Sequence, residues 1–368
     1  MSSYSASERS LRRFVRDYQS LNPSTAAELS SPPTPLEFSR FVASNRPVVI
    51  RGGGSGVVPA LDRWSDSYLE AKLEGKEVEI SVSPSGNADS IVDGLFVEPA
   101  SVPMPLSRLL SLLKEEQDDV NGVATTPVYY LQSQNGNLAD EYVELRADVG
   151  EDGPEWAREV FGEAPDAVNL WIGGRRSKTS MHKDPYENIY MVVRGTKTFT
   201  LLPPTEAYCV HERLYPHATY TFDPSASSPA APSPTASSSS SPSSPSASSA
   251  FSIQRTDPPL LVPWIPVDPL APDLEAYPRF RLARPMRVTL EKGDMLYLPA
   301  LWYHLVEQDV GWGPEGEGKG VQAAIACNWW YDMKMDGPFW SMLQHVRRGV
   351  LALDGRTEEE SEDESVDE

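Results

Sequence analysis

Two short segments, far apart in the sequence, constrain the fold of this chain more than any other feature. The first is Met181-His182-Lys183-Asp184 and the second is Trp302-Tyr303-His304. A His-x-Asp pair followed much later by a single His is the ligand set of a two-histidine, one-carboxylate facial triad, which binds Fe(II) and leaves positions open for a co-substrate and O2. On an extended strand, His182 and Asp184 would project to the same face. The chain must therefore bring His304, from another strand, to that face, and the pattern predicts an iron-dependent oxygenase.

A His-x-Asp pair alone arises by chance in many chains, and the competing interpretation is a surface histidine beside an aspartate. The residues before His304 favour the metal site. The segment from Gly293 to Pro299 begins with residues typical of a turn, continues with the apolar pattern of a strand and ends in a proline. A strand in this position would place the imidazole of His304 at the mouth of a barrel. Lys183 would point to the opposite face. The remaining histidines, His211, His217 and His345, lie near a low-complexity insertion or on a C-terminal helix and receive no role.

Short segments rich in β-branched and aromatic residues recur along the chain, with turn residues between them and no long intervening helices. Such a pattern is typical of an all-β sandwich or barrel. We therefore predict a mainly β fold of the jelly-roll type. The predicted strands are residues 46–51, 78–82, 127–132, 167–172, 188–193, 197–202, 287–290, 295–298 and 323–328, with a tight turn at Arg194-Gly195-Thr196.

Helical spacing of apolar residues marks both ends of the chain. Residues 7–18 and 35–42 predict N-terminal helices, and residues 338–353 predict a C-terminal helix. Four residues of the C-terminal helix would share a face that serves either core packing or an oligomer contact, with the contact favoured: Trp340, Leu343, Val346 and Val350. The predicted divisions are an N-terminal helical segment (1–34), a catalytic domain (35–345), the C-terminal helix (338–353) and a disordered acidic tail (354–368).

One stretch interrupts the catalytic domain. Residues 225–250 contain only Ser, Ala, Pro and a single Thr. Such a segment has no large apolar side chain to bury, so it cannot offset the entropy of ordering. We predict a disordered surface insertion, with the flanking strands closing up as if it were absent. A phosphorylation platform is the functional alternative.

Charge and composition exclude several classes of protein. The formal net charge of −21 argues against a nucleic-acid-binding protein, because no basic stripe is available to neutralise phosphates. No apolar run approaches the length that spans a bilayer. The two cysteines, Cys209 and Cys327, are too few for a disulfide framework. We therefore expect a protein of the cytoplasm, or of the cytoplasm and nucleus, without membrane or direct nucleic-acid partners.

A triad of this kind that uses 2-oxoglutarate requires a cation for the distal carboxylate, because a buried carboxylate without a partner is costly. Lys197 lies on the predicted strand after the Gly195 turn and can supply the charge. The competing interpretation is a solvent-exposed strand lysine. Three further residues can add hydrogen bonds to the same ligand: Thr179, Tyr130 and Asn188.

The motifs around these residues resemble those of the cupin-like Jumonji-C hydroxylases, and in particular their lysyl hydroxylases. They are Asn169–Gly173, Thr179–Tyr190, Val193–Lys197, Gly293–His304 and Asn328–Met333, with further similarity at Pro35–Gly52 and Val262–Leu270. The resemblance covers residues 35–345 apart from the insertion. It implies a double-stranded β-helix that uses Fe(II), 2-oxoglutarate and O2. It assigns iron to His182, Asp184 and His304, the 2-oxoglutarate carboxylate to Lys197, and supporting contacts to Thr179, Tyr130, Asn188 and Asn328.

The reaction implied by the resemblance is (3S)-hydroxylation at C-3 of a lysine side chain in developmentally regulated GTP-binding proteins. The resemblance also implies a homodimer formed through C-terminal helices. Two positions depart from the family pattern: Leu305 replaces a frequent second histidine, and Pro185 replaces a histidine of close relatives. Neither position is a metal ligand, so these departures concern the shape of the substrate pocket.

Other functions stay open. The same site would serve an N-methyl-lysine demethylase, although the chain lacks the Cys/His zinc spacing of a chromatin-reader domain. A non-catalytic cupin-type binding protein is the alternative outside the enzymes, but all three ligand residues are present. An arginine-directed endopeptidase, also attributed to the family, finds no hydrolytic nucleophile in the sequence. A substrate lysine would need a carboxylate near the mouth, and Glu187 is one candidate among many.

Overall fold

The computed structural model describes residues 4–118, 127–132, 136–150, 152–227, 250–312 and 321–356. Most of the predicted insertion (225–250) and of the predicted acidic tail (354–368) therefore lies outside the described residues. The described helices are α1 Ala6–Leu21, α2 Pro35–Ser44, α3 Ala60–Arg63, α4 Asp66–Lys72, α5 Leu106–Asp118, α6 Asn137–Asp140, α7 Arg146–Val149, α8 Glu155–Phe161 and α9 Gly337–Leu353.

The described strands include every strand segment predicted from the sequence. They are β1 Ala27–Leu29, β2 Val48–Ile50, β3 Glu77–Ser83, β4 Asn87–Ala88, β5 Ser90–Val92, β6 Leu95–Glu98, β7 Ala100–Pro105, β8 Val128–Leu131, β9 Ala167–Gly173, β10 Lys178–His182, β11 Tyr186–Arg194, β12 Thr196–Leu202, β13 Arg213–Phe222, β14 Phe251–Arg255, β15 Leu261–Trp264, β16 Met286–Leu290, β17 Met295–Leu298, β18 Tyr303–Asp309, β19 Gly311–Trp312, β20 Val321–Gln322 and β21 Ala324–Asp332.

Two sheets build the centre of the molecule. The larger has the strand order β1-β2-β17-β11-β21-β9-β8-β3-β7, and the smaller has the order β16-β12-β18-β10-β4. Four strands of the first sheet, β17-β11-β21-β9, face four of the second, β16-β12-β18-β10, and in chain order these eight strands alternate between the sheets except at β12 and β16. This arrangement is a double-stranded β-helix, so the predicted mainly β fold with helices at both termini is confirmed.

The apolar run of β11 shows why the larger sheet forms at the centre. Tyr190 and Val192 pack into the interior between the two sheets, together with Phe199 and Leu201 of β12. Ile189, Met191 and Val193 point to the other face and join a second core under the helices. Because side chains alternate along a strand and both faces are covered here, β11 is apolar from Ile189 to Val193.

Helices cover the outer face of the larger sheet. Helix α2 begins with a capping box, in which Thr34 and Glu37 bond each other's backbone N–H groups, and with Pro35 in its first turn. Its Phe38 packs edge-on against Trp156 of α8, with ring centroids 4.6 Å apart. Helix α5 was not predicted from the sequence, although its apolar residues have helical spacing. No described helix is both long enough and apolar enough to cross a membrane.

A third sheet, with the order β14-β13-β6-β5 and β15 on β13, flanks the barrel. Strands β13 and β14 lie on either side of the predicted insertion, and they pair directly, from Phe222 with Phe251 onward. The prediction that these strands close up is therefore confirmed. The insertion's disorder itself stays a prediction, since residues 228–249 lie outside the described part of the chain.

The predicted C-terminal helix is confirmed as α9. Its Val346 and Val350 pack against Leu11 and Val15 of α1, within the same chain. The packing alternative therefore accounts for Val346 and Val350, while the contact predicted for Trp340 and Leu343 and the homodimer stay predictions. Contacts with the body of the protein continue beyond the helix, because Asp354 forms an ion pair with Arg279 at 3.0 Å.

The tight turn predicted at Gly195 joins β11 to β12. Gly195 has a φ of +75°, and a Cβ atom there would lie 2.5 Å from the carbonyl oxygen of Asp309. Gly75 has a similar φ of +77° but open space around it. The two glycines therefore share a left-handed backbone and differ in the room for a side chain.

We expect Gly195→Ala to lower the free energy of unfolding more than Gly75→Ala does. The left-handed backbone alone costs an alanine about 1–2 kcal/mol, and at Gly195 the barrel turn must also move away from Asp309. Urea unfolding of the two variants beside the wild type measures the difference. Equal losses would show that the turn at Gly195 tolerates a side chain.

Candidate metal centre

The structure brings His182, Asp184 and His304 together. Their ligand atoms all lie within 4.8 Å of one another. The Nε2 atom of His304 is 3.4 Å from Oδ2 of Asp184, and that of His182 is 3.7 Å from the same oxygen. Two imidazole nitrogens and a carboxylate oxygen facing one point form a set that can hold a divalent metal ion.

An irregularity in β10 aims two side chains into the barrel. Thr179 pairs with Val306 and His182 pairs with His304, so β10 has one residue more than β18 between these pairs. A bulge of this kind re-aims the residues that follow it. Thr179 and His182 therefore both face the interior, although strict alternation would separate them.

Asp184 reaches the centre from a loop, not from the strand. The sequence prediction placed His182 and Asp184 on one extended strand, but β10 ends at His182. The backbone carbonyl of Asp184 accepts a hydrogen bond of 2.9 Å from the N–H of Leu301. Leu301 has a φ of +65°, a strained conformation for its residue type. The loop before His304 thus holds the loop that carries Asp184.

Hydrogen bonds to the backbone orient both imidazoles. Nδ1 of His182 lies 2.8 Å from the carbonyl oxygen of Ser180, and Nδ1 of His304 lies 2.9 Å from that of Trp302. A carbonyl can only accept, so each Nδ1 carries the proton and each Nε2 presents a lone pair toward Asp184.

Charge and burial favour the metal-binding forms of His182 and Asp184. Burial, and then the neighbouring His304, lowers the pKa of His182 to about 4. Burial alone would raise the pKa of Asp184, but the interactions with His182 and His304 outweigh it and the pKa falls below its usual value. Neutral imidazoles and an ionised carboxylate are the states that bind a metal ion.

The three residues open into a cavity inside the barrel. Its wall includes the four residues predicted to support a co-substrate, namely Tyr130, Thr179, Asn188 and Asn328. Trp171 donates a hydrogen bond of 2.8 Å to Oδ1 of Asn328, whose amide donates one of 3.1 Å to Oδ1 of Asn188. This chain of bonds fixes the Asn188 amide so that its own N–H groups have no protein partner among the described residues.

Lys197 lies behind Tyr130, with its side chain directed into the barrel interior. It is fully buried, so the interpretation as a solvent-exposed lysine is wrong. Its Nζ donates to the hydroxyl of Tyr130 at 3.3 Å and to Oε1 of Gln308. No carboxylate pairs with Lys197 among the described residues, and burial lowers its pKa to about 7. The interior therefore contains an amino group that, when protonated, has no carboxylate partner in the described part of the chain.

Sequence reasoning missed several residues of this site. Gln308 stands on the same strand as His304 and at an even spacing from it, so alternation could have placed it inside. Ser177 accepts from its Nε2, which turns its Oε1 toward Lys197. Trp264, whose ring stacks parallel to the His182 imidazole at 6.0 Å, follows the insertion and gave no such signal.

Two charged residues near the triad, the basic Lys183 and the acidic Glu187, form contacts with other parts of the protein. Lys183 points away from the cavity, as predicted, and pairs with Glu212. Glu187, one candidate for binding a substrate lysine, accepts hydrogen bonds from the Tyr297 hydroxyl at 2.8 Å and the Ala300 N–H at 3.3 Å. Its carboxylate therefore supports the loop before His304. Leu305, at the position that departs from the family pattern, is buried on the outer side of β18.

Comparison with known proteins adds a family and several named relatives. The cupin-like domain family matches residues 33–337. A human protein named bifunctional peptidase and (3S)-lysyl hydroxylase JMJD7 is 38% identical over 316 residues, which cover 85% of this chain and 86% of the relative. Lysine-specific demethylase JMJ32 of Arabidopsis thaliana is 35% identical over 315 residues, 83% of this chain and 81% of the relative. JmjC domain-containing protein E of Dictyostelium discoideum is 33% identical over 318 residues, 82% of each chain.

We expect the wild-type protein to bind a single equivalent of Fe(II) or Mn(II), and Asp184→Ala to weaken that binding by at least about tenfold. The variant removes the charged member of the donor set and leaves two neutral imidazoles. Anaerobic titration calorimetry measures both affinities. Asp332→Ala, which removes an exposed carboxylate at the end of β21, is the matched control and should bind the metal normally. Undiminished binding by Asp184→Ala would contradict the assignment.

Proposed function

Because this chain belongs to the cupin-like Jumonji-C family of 2-oxoglutarate oxygenases, we propose that it is a protein hydroxylase that acts at C-3 of a lysine side chain. The observation that carries the proposal is the buried amino group of Lys197, which has no carboxylate partner among the described residues and donates to the hydroxyl of Tyr130, a residue of the cavity wall. A small dicarboxylate that bridges the triad and Lys197 would satisfy both. The cofactors of the proposed reaction are Fe(II), 2-oxoglutarate and O2.

In this proposal His182, Asp184 and His304 hold the iron. The donor set fits Fe(II), since two imidazoles and one carboxylate leave positions free for other ligands. When bound, Fe(II) supplies the redox chemistry by which O2 oxidises 2-oxoglutarate to succinate and CO2 and hydroxylates a second substrate. The chain contributes orientation, through the Ser180 and Trp302 carbonyls that fix both imidazoles.

Lys197 binds the distal carboxylate of 2-oxoglutarate in this proposal, and the hydroxyls of Tyr130 and Thr179 donate to the same group. An ammonium and a carboxylate that pair inside the protein offset each other's desolvation, whereas either alone is costly. Asn188 and Asn328 support the co-substrate with their amide groups. The apolar wall, which includes Phe199 and Val306, keeps water from the reacting groups.

The proposed substrate is a protein that presents a lysine, and we infer a developmentally regulated GTP-binding protein from the resemblance in the motifs. The printed name of the human relative, a (3S)-lysyl hydroxylase, supports the lysine and the stereochemistry. We further propose a homodimer, and action in the cytoplasm or nucleus. The thiols of Cys209 and Cys327 are buried and unpaired, in keeping with a reducing compartment.

A second candidate is an N-methyl-lysine demethylase, favoured by the printed name of the Arabidopsis relative at 35% identity. The same site would hydroxylate the methyl carbon, and formaldehyde would leave. The peptidase named for the human relative has less support, because no cysteine or serine lies on the described wall of the cavity. A non-catalytic binding protein is disfavoured by the complete triad.

Mass spectrometry of intact peptides tests the proposal. The purified protein is incubated with Fe(II), ascorbate, 2-oxoglutarate and a lysine peptide from a developmentally regulated GTP-binding protein. We expect a gain of one oxygen on the lysine, absent with Asp184→Ala. Loss of a methyl group from a methyl-lysine peptide, with no oxygen gain on the unmodified peptide, would favour the demethylase instead.

We also expect Lys197→Ala to raise the 2-oxoglutarate concentration for half-maximal turnover by about tenfold to a hundredfold. This is the size of effect that accompanies the loss of a charge-assisted hydrogen bond. Succinate production measured across a range of 2-oxoglutarate concentrations gives the value. Lys292→Ala, an exposed lysine of the turn before β17, is the control. An unchanged requirement would assign the distal carboxylate to another residue.

A further inference from the structure

The third sheet brings an unpaired carboxylate to the edge of the candidate site. Strand β4 lies beside β10, with Ala88 paired to Thr179 of the cavity wall. Asp89 follows directly, and its carbonyl accepts a hydrogen bond from the hydroxyl of Ser180. Asp89 therefore stands next to the segment that leads from Thr179 to His182, outside the cavity but at its border.

Asp89 faces a second carboxylate. Strands β5 and β6 pair Ser90 with Val97, so the next step of the register brings Asp89 alongside Glu98. Burial, and then the charge of Glu98, raises the pKa of Asp89 to about 7. Like charges placed opposite each other in a sheet are destabilising. Glu98 has His217 3.4 Å away, whereas Asp89 forms no ion pair among the described residues.

An indole ring connects the backbone of Asp89 to the metal centre. Trp264 donates a hydrogen bond of 3.1 Å to the hydroxyl of Ser180, which in turn donates to Asp89. The same indole lies parallel to the imidazole of His182, with the ring centroids 6.0 Å apart. Trp264 and Asp89 are both half-buried, so both keep a surface that a ligand can reach.

We propose that Asp89 receives the ammonium group of the substrate lysine while the alkyl stem packs on Trp264. This inference rests on the proposed lysyl hydroxylation. The ammonium group is several bonds away from C-3, so its receptor belongs beside the cavity and not within the triad. A half-buried carboxylate with a like-charged neighbour gains from an ammonium partner, and an indole face accommodates both the stem and its charge.

A structural role for Asp89 is the competing explanation. Its φ of +51° lies in the left-handed region, which Asp and Asn adopt more readily than other residues with side chains. Replacement by Asn keeps this backbone preference and the carbonyl that Ser180 contacts, and removes only the charge. Asp93 provides a matched control, since it has a φ of +49° at the exposed turn of the same hairpin.

The experiment compares two peptides that differ only in the ε-ammonium group of the target residue. One contains the target lysine, and the other has norleucine in its place. For the wild type we expect kcat/KM to favour the lysine peptide by about tenfold to a hundredfold, the range of a charge-assisted hydrogen bond. Asp89→Asn should bring this ratio close to unity, and Asp93→Asn should leave it unchanged.

The outcomes separate this inference from the function on which it rests. Oxygen transfer by the wild type together with an unchanged ratio in Asp89→Asn would overturn the role of Asp89 and leave the hydroxylase standing. Absence of oxygen transfer to lysine by the wild type would contradict both the role of Asp89 and the proposed hydroxylase function. A uniform loss with both peptides and a lower melting temperature would show that Asp89 is structural. We expect the melting temperature of Asp89→Asn to equal or exceed that of the wild type, because the variant relieves repulsion from Glu98.

Discussion

The burial of the Lys197 charge is the constraint on which the account of this site depends. An ammonium group inside a protein is costly unless an anion or several hydrogen bonds compensate it. Among the described residues, the hydrogen-bond acceptors that the barrel offers are the neutral oxygens of Tyr130 and Gln308. The fold nevertheless keeps the lysine inside, on a strand whose neighbouring inward residues are Phe199 and Leu201. A carboxylate-bearing ligand that enters the cavity would complete this arrangement, and the proposed use of 2-oxoglutarate follows from that incomplete pairing.

The site owes its geometry to local departures from regular structure. A regular β10 would alternate Thr179 and His182 between faces, and the irregularity between them turns both inward. The loops that bear Asp184 and His304 are tied by the hydrogen bond from Leu301. These devices belong to the barrel, where the proposed redox chemistry takes place. The proposed recognition of lysine belongs to the third sheet, so chemistry and specificity would lie on separate elements joined through Ser180 and Trp264.

Much of this molecule could be predicted from its sequence, because the relevant signals are local. Short segments rich in β-branched and aromatic residues located the barrel strands, and the triad was assembled from two short motifs. The position of Asp184 beyond the end of β10 could not be predicted, since a bulge and a loop contact decide it. The inward position of Gln308 could have been predicted from the alternation of side chains along β18. The positions of Asp89 and Trp264 beside the site could not be predicted, because they depend on the pairings of β4 with β10, of β6 with β13 and of β15 with β13, which join segments far apart in the sequence.

The most direct test of the central claim is a calorimetric titration of the metal-loaded protein in the absence of O2. The ligands are 2-oxoglutarate and 2-oxobutyrate, which lacks the distal carboxylate. The account predicts that 2-oxoglutarate binds at least about tenfold more tightly, as the loss of one charge-assisted hydrogen bond implies, and that Lys197→Met removes the difference. Equal affinities in the wild type, or a difference that persists in Lys197→Met, would contradict the claim that the buried lysine binds the distal carboxylate of a dicarboxylate ligand.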